Sequence, residues 1–367
     1  MLSVSLLFRI ALLSFATVAG SVNSASLKES TTTRPELVLQ TGHSKGVNCA
    51  VFGPDGSWLA SGGSDNAIKI WQVASGRELR ALTGHTNYVK SLAASRNGRW
   101  LASGSSDRTV KVWEVATGHE LYSLPGHTSS IEALAFSPDN RWLASGSADK
   151  TVKIWNLTNG KEIKTLNDHT ERVMALAFSG DGKLLASGSA DTTVKLWNTS
   201  NWRNVRTLRK QTGKITALAF SSDTGWLASG SSDGTVCLWP TESDRERCNL
   251  KHNMSSVIAL AFDSSGVLIS AHQDGGIEFW NTNTAKEGRA IPGDANAEQL
   301  VFAAFSPGAD TLALGAGDRV VNLRKLTGGE ETRTLESHST AFNAVDSAGT
   351  DVGSRRQQMI PASDCGR

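Results

Sequence analysis

The sequence has few of the residues that mark several common classes of protein. Its 367 residues contain 4 cysteines, too few for a disulfide framework in a chain of this length, and none has CxxC or Cys/His metal-ligand spacing. The formal net charge is only +2, and no run of lysine or arginine indicates a phosphate-binding surface. We therefore expect no nucleic-acid partner, no cofactor and no metal.

Long apolar runs are also absent, except at the N-terminus. Ile10–Gly20 is apolar, follows a segment with one positive charge and precedes small residues that suit a signal peptidase. We expect residues 1–25 to be a secretory signal peptide and 26–34 a linker, with the mature protein exported (periplasmic or extracellular) and not membrane-spanning. The run is short for a membrane span, so cleavage is favoured over an uncleaved N-terminal membrane anchor.

Glycine and tryptophan are abundant instead, with 35 and 11 residues. The tryptophans recur every 41 or 42 residues, and a further step of 44 reaches Arg324: Trp71, Trp113, Trp155, Trp197, Trp239 and Trp280. An aspartate stands six positions before each of these seven anchors: Asp65, Asp107, Asp149, Asp191, Asp233, Asp274 and Asp318. Self-similarity at a fixed period indicates a repeat architecture.

Each period contains four short predicted strands. In the third period these are Ile131–Phe136, Arg141–Gly146, Thr151–Trp155 and Lys161–Leu166, separated by turns rich in Gly, Pro, Asn and Asp. No stretch of the mature chain has a sustained helical period. A single four-stranded sheet cannot bury both faces, but seven such sheets arranged radially cover one another. The sequence therefore predicts an all-β fold, a seven-bladed β-propeller of four-stranded antiparallel blades.

The sequence resembles the WD-repeat family over about residues 35–335. The resemblance is carried by Gly42-His43, Gly84-His85 and Gly126-His127, by Leu-Ala-Ser-Gly, and by Thr-Val-Lys followed by Ile, Val or Leu and Trp. These motifs recur at fixed offsets. The aspartate that gives the family its Trp-Asp pair is missing here, but it is a turn-favouring position, so the predicted fold is little affected.

The resemblance implies a hydrogen-bonded set of His, Ser, Asp and Trp in each blade. The expected sets are His43/Ser61/Asp65/Trp71, His85/Ser103/Asp107/Trp113, His127/Ser145/Asp149/Trp155 and His169/Ser187/Asp191/Trp197. An indole N–H donates, a hydroxyl relays, and a neutral imidazole accepts on one nitrogen while donating from the other. Because the trio recurs in blade after blade, we interpret it as structural rather than catalytic and expect no enzymatic activity.

The repeats become less regular towards the C-terminus. The histidine position reads Gln211 in the fifth period, and His252 is displaced by one residue in the sixth. In the seventh, Leu314 and Arg324 replace Ser and Trp. We expect blades two to four to be the most rigid and blade seven the least stable.

Without a catalytic constellation, function is expected on a surface. The resemblance implies docking on the narrow face around the central channel, through residues beside the first apolar residue of each first strand and before each turn aspartate. We call these positions the rim: Gly46, Asn48, Ser64, Tyr88, Lys90, Ser106, Ser130, Glu132, Ala148, Arg172, Met174, Ala190, Lys214, Thr216, Ser232, Ser256, Ile258, Gln273, Gln299, Val301 and Gly317.

Tyr88, Arg172 and Met174 are residue types that are enriched at the centres of protein interfaces. Lys90, Arg172 and Lys214 make the rim mildly basic. The predicted partner-binding residues are Tyr88, Lys90, Glu132, Arg172, Met174, Lys214 and Ile258. We expect a monomeric, non-catalytic protein-protein interaction scaffold that binds a protein or peptide with an acidic group near Tyr88 and Arg172. An ordinary solvated rim is the alternative for this surface. A second function class is the sensing or docking module of a larger effector, for instance an enzyme whose catalytic domain lies elsewhere.

Three structural questions stay open. Glu36–Gln40 and Glu331–Leu335 both fit the outer strand of blade seven; we favour the first, which would join the ring ends and cover an edge, although the second needs a shorter loop. Residues 336–367 read as a partial repeat (Phe342–Val345) and a disordered tail. Cys237 and Cys248 are candidate cross-strand neighbours, with two free thiols favoured over a disulfide.

Overall fold

A computed structural model describes residues 42–242, 247–250, 254–282, 284, 286–293, 298–326 and 332–335. The described residues all belong to one compact unit, Gln40–Arg367. The predicted signal peptide, the linker, the Glu36–Gln40 strand and the tail beyond residue 335 lie outside these ranges.

The described strands form seven four-stranded antiparallel sheets, and within each sheet the strands follow their order in the chain. This confirms the predicted seven-bladed propeller. In the part of the chain that the structure describes, no helix is long and apolar enough to cross a bilayer.

The first four blades have nearly identical strand lengths. Blade one contains β1 (Val47–Phe52), β2 (Trp58–Gly63), β3 (Ile68–Gln72) and β4 (Glu78–Leu82). Blade two contains β5 (Val89–Ala94), β6 (Trp100–Ser105), β7 (Val110–Glu114) and β8 (Glu120–Leu124). Blade three contains β9 (Ile131–Phe136), β10 (Trp142–Ser147), β11 (Val152–Asn156) and β12 (Lys161–Leu166), within one residue of the predicted strands. Blade four contains β13 (Val173–Phe178), β14 (Leu184–Ser189), β15 (Val194–Asn198) and β16 (Arg203–Leu208).

The last three blades have some shorter strands. Blade five contains β17 (Ile215–Phe220), β18 (Trp226–Ser231), β19 (Val236–Pro240) and β20 (Arg247–Leu250). Blade six contains β21 (Val257–Phe262), β22 (Leu268–His272), β23 (Ile277–Asn281) and β24 (Lys286–Ile291). Blade seven contains β25 (Phe302–Phe305), β26 (Thr311–Gly315), β27 (Val321–Lys325) and β28 (Thr332–Leu335).

The hydrophobic core is divided among the seams between blades. Seven clusters of buried side chains each combine residues of two neighbouring blades, and in one of them Trp113 of blade two packs with Ile68 and Leu82 of blade one. The second strands carry small side chains because the next blade packs closely against them: a Cβ on Gly146 would lie 2.7 Å from Cγ1 of Val173. The Leu-Ala-Ser-Gly pattern therefore sets the distance between blades.

The first strand of every blade lines the central channel. Polar side chains join neighbouring first strands there: Asn48 Nδ2 donates to the carbonyl of Val89 at 3.0 Å, and Thr216 Oγ1 donates to that of Val257 at 2.5 Å. Each of these bonds joins the beginning of one first strand to the beginning of the next, at the end of the channel where the first residues of the strands lie.

The ring is completed by the C-terminal strand. β28 pairs with β27 as the outer strand of blade seven, so the preference for Glu36–Gln40 in that position was wrong. The physical reason is the short connection between β27 and β28, which costs little loop-closure entropy. Blade seven then meets blade one directly, where the Val47 amide donates to the carbonyl of Asp318 at 2.7 Å.

Candidate functional site

In blades one to four the structure brings the four predicted network residues together. In blade one, Ser61 Oγ accepts from Trp71 Nε1 at 2.8 Å and lies 2.7 Å from Nε2 of His43, whose Nδ1 lies 3.0 Å from Asp65. The corresponding contacts in the next three blades are all 2.8 Å long. Every polar group of the network has a hydrogen-bond partner if Nδ1 of the histidine carries the proton and the serine hydroxyl donates to Nε2.

The aspartates at the end of each network are held in the charged form. Partial burial would raise the pKa of Asp65, but hydrogen bonds from His43 and from two backbone amides lower it to about 2. Asp191 reaches the same value, because bonds from Thr193, His169 and Thr170 outweigh its burial. Each aspartate thereby fixes its imidazole and the loop before the first strand of its blade.

The histidines and serines of these networks are inaccessible. Burial lowers the pKa of His85 and of His169 below 6.5, despite the opposing hydrogen bonds to their aspartates, so both imidazoles favour the neutral form. Ser61, Ser103, Ser145 and Ser187 are each 0% exposed and accept from an indole. A serine without exposed surface cannot attack a bound substrate, so the geometry supports a structural role for the trio.

Blade five keeps the tryptophan–serine part of the network with a different acceptor. Gln211 replaces the histidine: its Oε1 accepts from Ser229 Oγ at 2.6 Å, and its Nε2 donates to the carbonyl of Thr235 at 3.0 Å. Trp239 Nε1 still donates to Ser229 Oγ, at 2.8 Å. An amide supplies both a donor and an acceptor, which explains why the substitution preserves the hydrogen bonding.

Blade six contains a buried ion pair that was not predicted from the sequence. His272 Nε2 lies 3.1 Å from both Ser270 Oγ and Glu278 Oε2, and Trp280 donates to the same hydroxyl at 3.0 Å. His272 is 0% exposed and Glu278 is 2% exposed. His252, the predicted histidine of this blade, lies outside the described residues. The sequence does carry a signal for this pair, because His272 stands where blades two to five have serine and Glu278 stands where blades one to four have lysine.

This ion pair makes a pH-dependent contribution to stability. Burial alone would lower the pKa of His272, but the hydrogen bonds to Glu278 and to the carbonyl of Ser255 outweigh it, and the pKa is raised above 6.5. The stabilisation is therefore complete below pH 6.5 and is lost as the pH rises through the raised pKa. We expect Glu278→Gln to lower the free energy of unfolding, measured by urea denaturation, more at about pH 6 than at about pH 9.

A matched control for this prediction is Glu120→Gln, which also breaks an ion pair. Glu120 lies 2.8 Å from Nζ of Lys111, so this substitution removes an ion pair that contains no histidine. Equal losses at both pH values for Glu278→Gln would contradict the assignment.

Blade seven lacks most of the network. Leu314 and Arg324 occupy the serine and tryptophan positions, and among the described residues the Asp318 carboxylate accepts one hydrogen bond, from the Val320 amide at 3.2 Å. Cys237 of blade five is buried, whereas the side chain of Cys248 lies outside the described residues, so the state of this pair stays a prediction.

The rim surrounds one end of the central channel. The channel has a volume of about 700 Å³, and one rim residue from each blade lines it: Asn48, Lys90, Glu132, Met174, Thr216, Ile258 and Val301. Backbone hydrogen bonds of 2.8 to 2.9 Å tie the strand ends to the residues before the turn aspartates, as between the Ser106 amide and the Tyr88 carbonyl. The rim is thus a surface to which every blade contributes, held by main-chain contacts.

The predicted partner-binding residues divide into two groups. Lys90, Glu132, Met174 and Ile258 line the channel, and Lys90 Nζ lies 3.4 Å from Oε1 of Glu132. The other three are exposed at the channel end: Tyr88, which is 46% exposed, Arg172 and Lys214. The expected basic character is therefore reduced at Lys90, whose charge faces a carboxylate. Val301 of blade seven, left out of the predicted set, is 50% exposed.

Among the residues that the structure describes, no group of three or more His, Cys, Asp or Glu could hold a metal ion.

Seven four-stranded blades around a channel, with the Trp–Ser–His–Asp network repeated in four of them, define a repeat-built β-propeller. A family model described as "WD domain, G-beta repeat" matches residues 35–72, 76–114 and 118–156, and one described as "IFT122 first beta-propeller" matches residues 147–348. The second match covers more than half of the chain. The chain belongs to the WD-repeat β-propeller family, whose propellers are generally non-catalytic scaffolds.

Two curated relatives share short segments with this chain. "Periodic tryptophan protein 2" of Arabidopsis thaliana is 43% identical over 44 residues, which is 12% of this chain and 5% of the relative. "Ribosome biogenesis protein BOP1" of Mus musculus is 38% identical over 47 residues, which is 13% of this chain and 6% of the relative. Each match has about the length of one repeat, so both support the repeat and neither extends to a whole protein.

Proposed function

We propose that this chain is a non-catalytic scaffold that binds a protein partner at its rim. The observation that carries the proposal is the convergence of one side chain from each of seven blades on a single channel opening, with exposed Tyr88 and Arg172 beside it. Aromatic and arginine side chains are the types that anchor protein interfaces most often. The network histidines and serines are buried, whereas the residue type at the rim positions varies from blade to blade.

The charge distribution on the rim supports an acidic group on the partner. The negative charge of Glu132 offsets the positive charge of Lys90, whereas the side chains of Arg172 and Lys214 are exposed on adjacent blades. A carboxylate of the partner would bind on the side of blades four and five, where a guanidinium offers two donors in one plane. Met174, which is half-buried in the channel next to Arg172, would receive an apolar part of the same ligand.

The N-terminal segment supports a place for this interaction outside the cytoplasm. We propose that the protein is exported after cleavage of residues 1–25 and acts as a monomer in an extracytoplasmic compartment. Determination of the N-terminal residue of the mature protein by mass spectrometry tests this: a mature chain that begins near residue 20 or 25 supports export, and one that retains Ile10–Gly20 contradicts it.

The proposed rim interaction is tested by the double variant Tyr88→Ala with Arg172→Ala. We expect the affinity of a partner captured from the protein's own compartment to fall by about tenfold or more, because both side chains lie where interface energy concentrates. Calorimetric titration of the purified pair measures this. The control is Lys183→Ala, whose side chain is 81% exposed in the hairpin between β13 and β14, away from the rim. An affinity that survives the double variant would remove the rim as the binding site.

A further inference from the structure

The outer strands of blades one to four expose one large apolar side chain each. Leu79, Leu121, Ile163 and Val205 are 44%, 40%, 41% and 55% exposed, and they are spaced 42 residues apart. Single exposed apolar residues are common on protein surfaces, but recurrence at one position in four adjacent blades is a pattern. These four residues are called the belt.

Each belt residue is the extra residue of a β-bulge. In blade three, Ile154 pairs with Lys164 and Trp155 pairs with Glu162, so Ile163 has no partner opposite; the same shift occurs in blades one, two and four. A bulge turns a side chain away from the regular sheet. In blade six the equivalent residue is Gly288, and in blade seven β27 and β28 pair without a shift. The fold therefore does not require an apolar residue at the bulge.

The strands that carry the belt are positively charged. β4, β8, β12 and β16 contain five cations and three anions: Arg80, Lys161, Lys164, Arg203 and Arg206 against Glu78, Glu120 and Glu162. Each glutamate is bound at 2.8 Å by a largely buried lysine from the third strand of its own blade. The anions are thus already bound within their blades, and these four strands carry more positive than negative charge around the apolar residues.

We propose that the belt and its cations form a second docking surface, which binds a segment of a protein partner with acidic residues beside large apolar side chains. The cations of the belt strands would attract the acidic residues of the partner, and the exposed aliphatic side chains of the belt would contact its apolar residues. A bulged edge is a poor template for an added strand, so the contact is made by side chains. The four belt residues lie on four of the seven blades of a ring and face different directions. A segment that curves around the propeller can therefore reach all four, whereas a planar membrane cannot.

The test uses a fluorescent synthetic peptide in which glutamate alternates with leucine, and fluorescence anisotropy with the full chain. We expect saturable binding below about 100 µM, weakened about tenfold by Leu121→Ser with Ile163→Ser and by Arg80→Glu with Lys164→Glu. Lys183→Glu with Arg319→Glu changes the net charge equally, away from the belt, and should leave binding unchanged. A peptide with glutamine for glutamate should bind at least about tenfold more weakly.

Three results would overturn the proposal. These are no saturable binding of the acidic peptide, binding that is insensitive to both belt variants, and binding of the belt to vesicles of anionic lipid but not to the peptide. Because the rim is also proposed to bind an acidic group, the rim variant Tyr88→Ala with Arg172→Ala is measured beside the belt variants. Loss of peptide binding in the belt variants alone assigns the peptide to the belt, whereas loss in the rim variant alone is the second of these results and assigns the peptide to the rim. The belt variants change exposed side chains, and an unchanged thermal midpoint verifies that they fold.

Discussion

Replacement of Asp149 by alanine should lower the free energy of unfolding by about 3 kcal/mol, because one carboxylate completes four hydrogen bonds in blade three. It accepts from His127 Nδ1 at 2.8 Å, from the Thr128 amide at 2.9 Å, and from the amide and hydroxyl of Thr151 at 3.0 and 2.7 Å. Burial would raise the pKa of Asp149, but these donors lower it well below 3.8, so the charged form is the native one. Its removal leaves the buried imidazole N–H only the Thr151 hydroxyl, at 3.2 Å, as an acceptor.

The matched control is Asp318→Ala, at the same repeat position in blade seven. Asp318 is exposed and makes one hydrogen bond among the described residues, so its loss should cost no more than about 0.5 kcal/mol. Urea denaturation at neutral pH measures both variants. Equal effects of the two substitutions would show that the network does not stabilise blade three as its geometry implies.

The substitution Gly46→Ala should destabilise the ring at the seam between blades one and seven. A Cβ on Gly46 would lie 1.9 Å from the carbonyl oxygen of Gly317. The Cα that would carry this Cβ and the Gly317 carbonyl both lie beside the hydrogen bond between the Val47 amide and the Asp318 carbonyl. Neither can therefore move without separating the two blades. We expect a loss of about 3 kcal/mol or more, as for severe overpacking, together with a lower thermal midpoint.

Gly180→Ala provides the comparison for this seam variant. A Cβ there would lie 3.5 Å and 3.6 Å from its neighbours, which is ordinary van der Waals contact, so the substitution should be nearly neutral. A Gly46→Ala chain as stable as the Gly180→Ala chain would indicate that the two blades are not in contact at this point.

Most of the architecture could be predicted from the sequence because it repeats. The 42-residue spacing of Trp and Asp, together with strands of five or six residues between turns, is enough to give seven blades, and the resemblance to the WD-repeat family implied the network partners in blades one to four. The strand that completes blade seven could not be decided in this way, since Glu36–Gln40 and Glu331–Leu335 carry the same pattern. The choice depends on loop length and on the packing of blade seven against blade one, which a repeat pattern does not contain.

The departures from the repeat were harder to interpret. His272 and Glu278 are informative only as a pair across two strands, and that contact is visible once β22 and β23 are in register. The belt residues were hidden for a similar reason: alternation places Ile163 on one face of a strand, and the bulge that turns it outwards is a feature of pairing. At the rim, the residue types could be predicted from the repeat. The contact between Lys90 and Glu132 could not, because it depends on how two neighbouring blades pack against each other.

The central claim is that seven blades form one closed ring, which holds the rim together as a single surface. Hydrogen exchange of the Val47 amide, followed by NMR in the native state, tests it most directly, because this amide bonds across the seam to the carbonyl of Asp318 at 2.7 Å. A closed ring predicts that the Val47 amide exchanges as slowly as amides in the middle of blade one, such as that of Ala60 in β2. Exchange of Val47 at the rate of an exposed amide, with Ala60 still protected, would show that the ring is open and would contradict the claim.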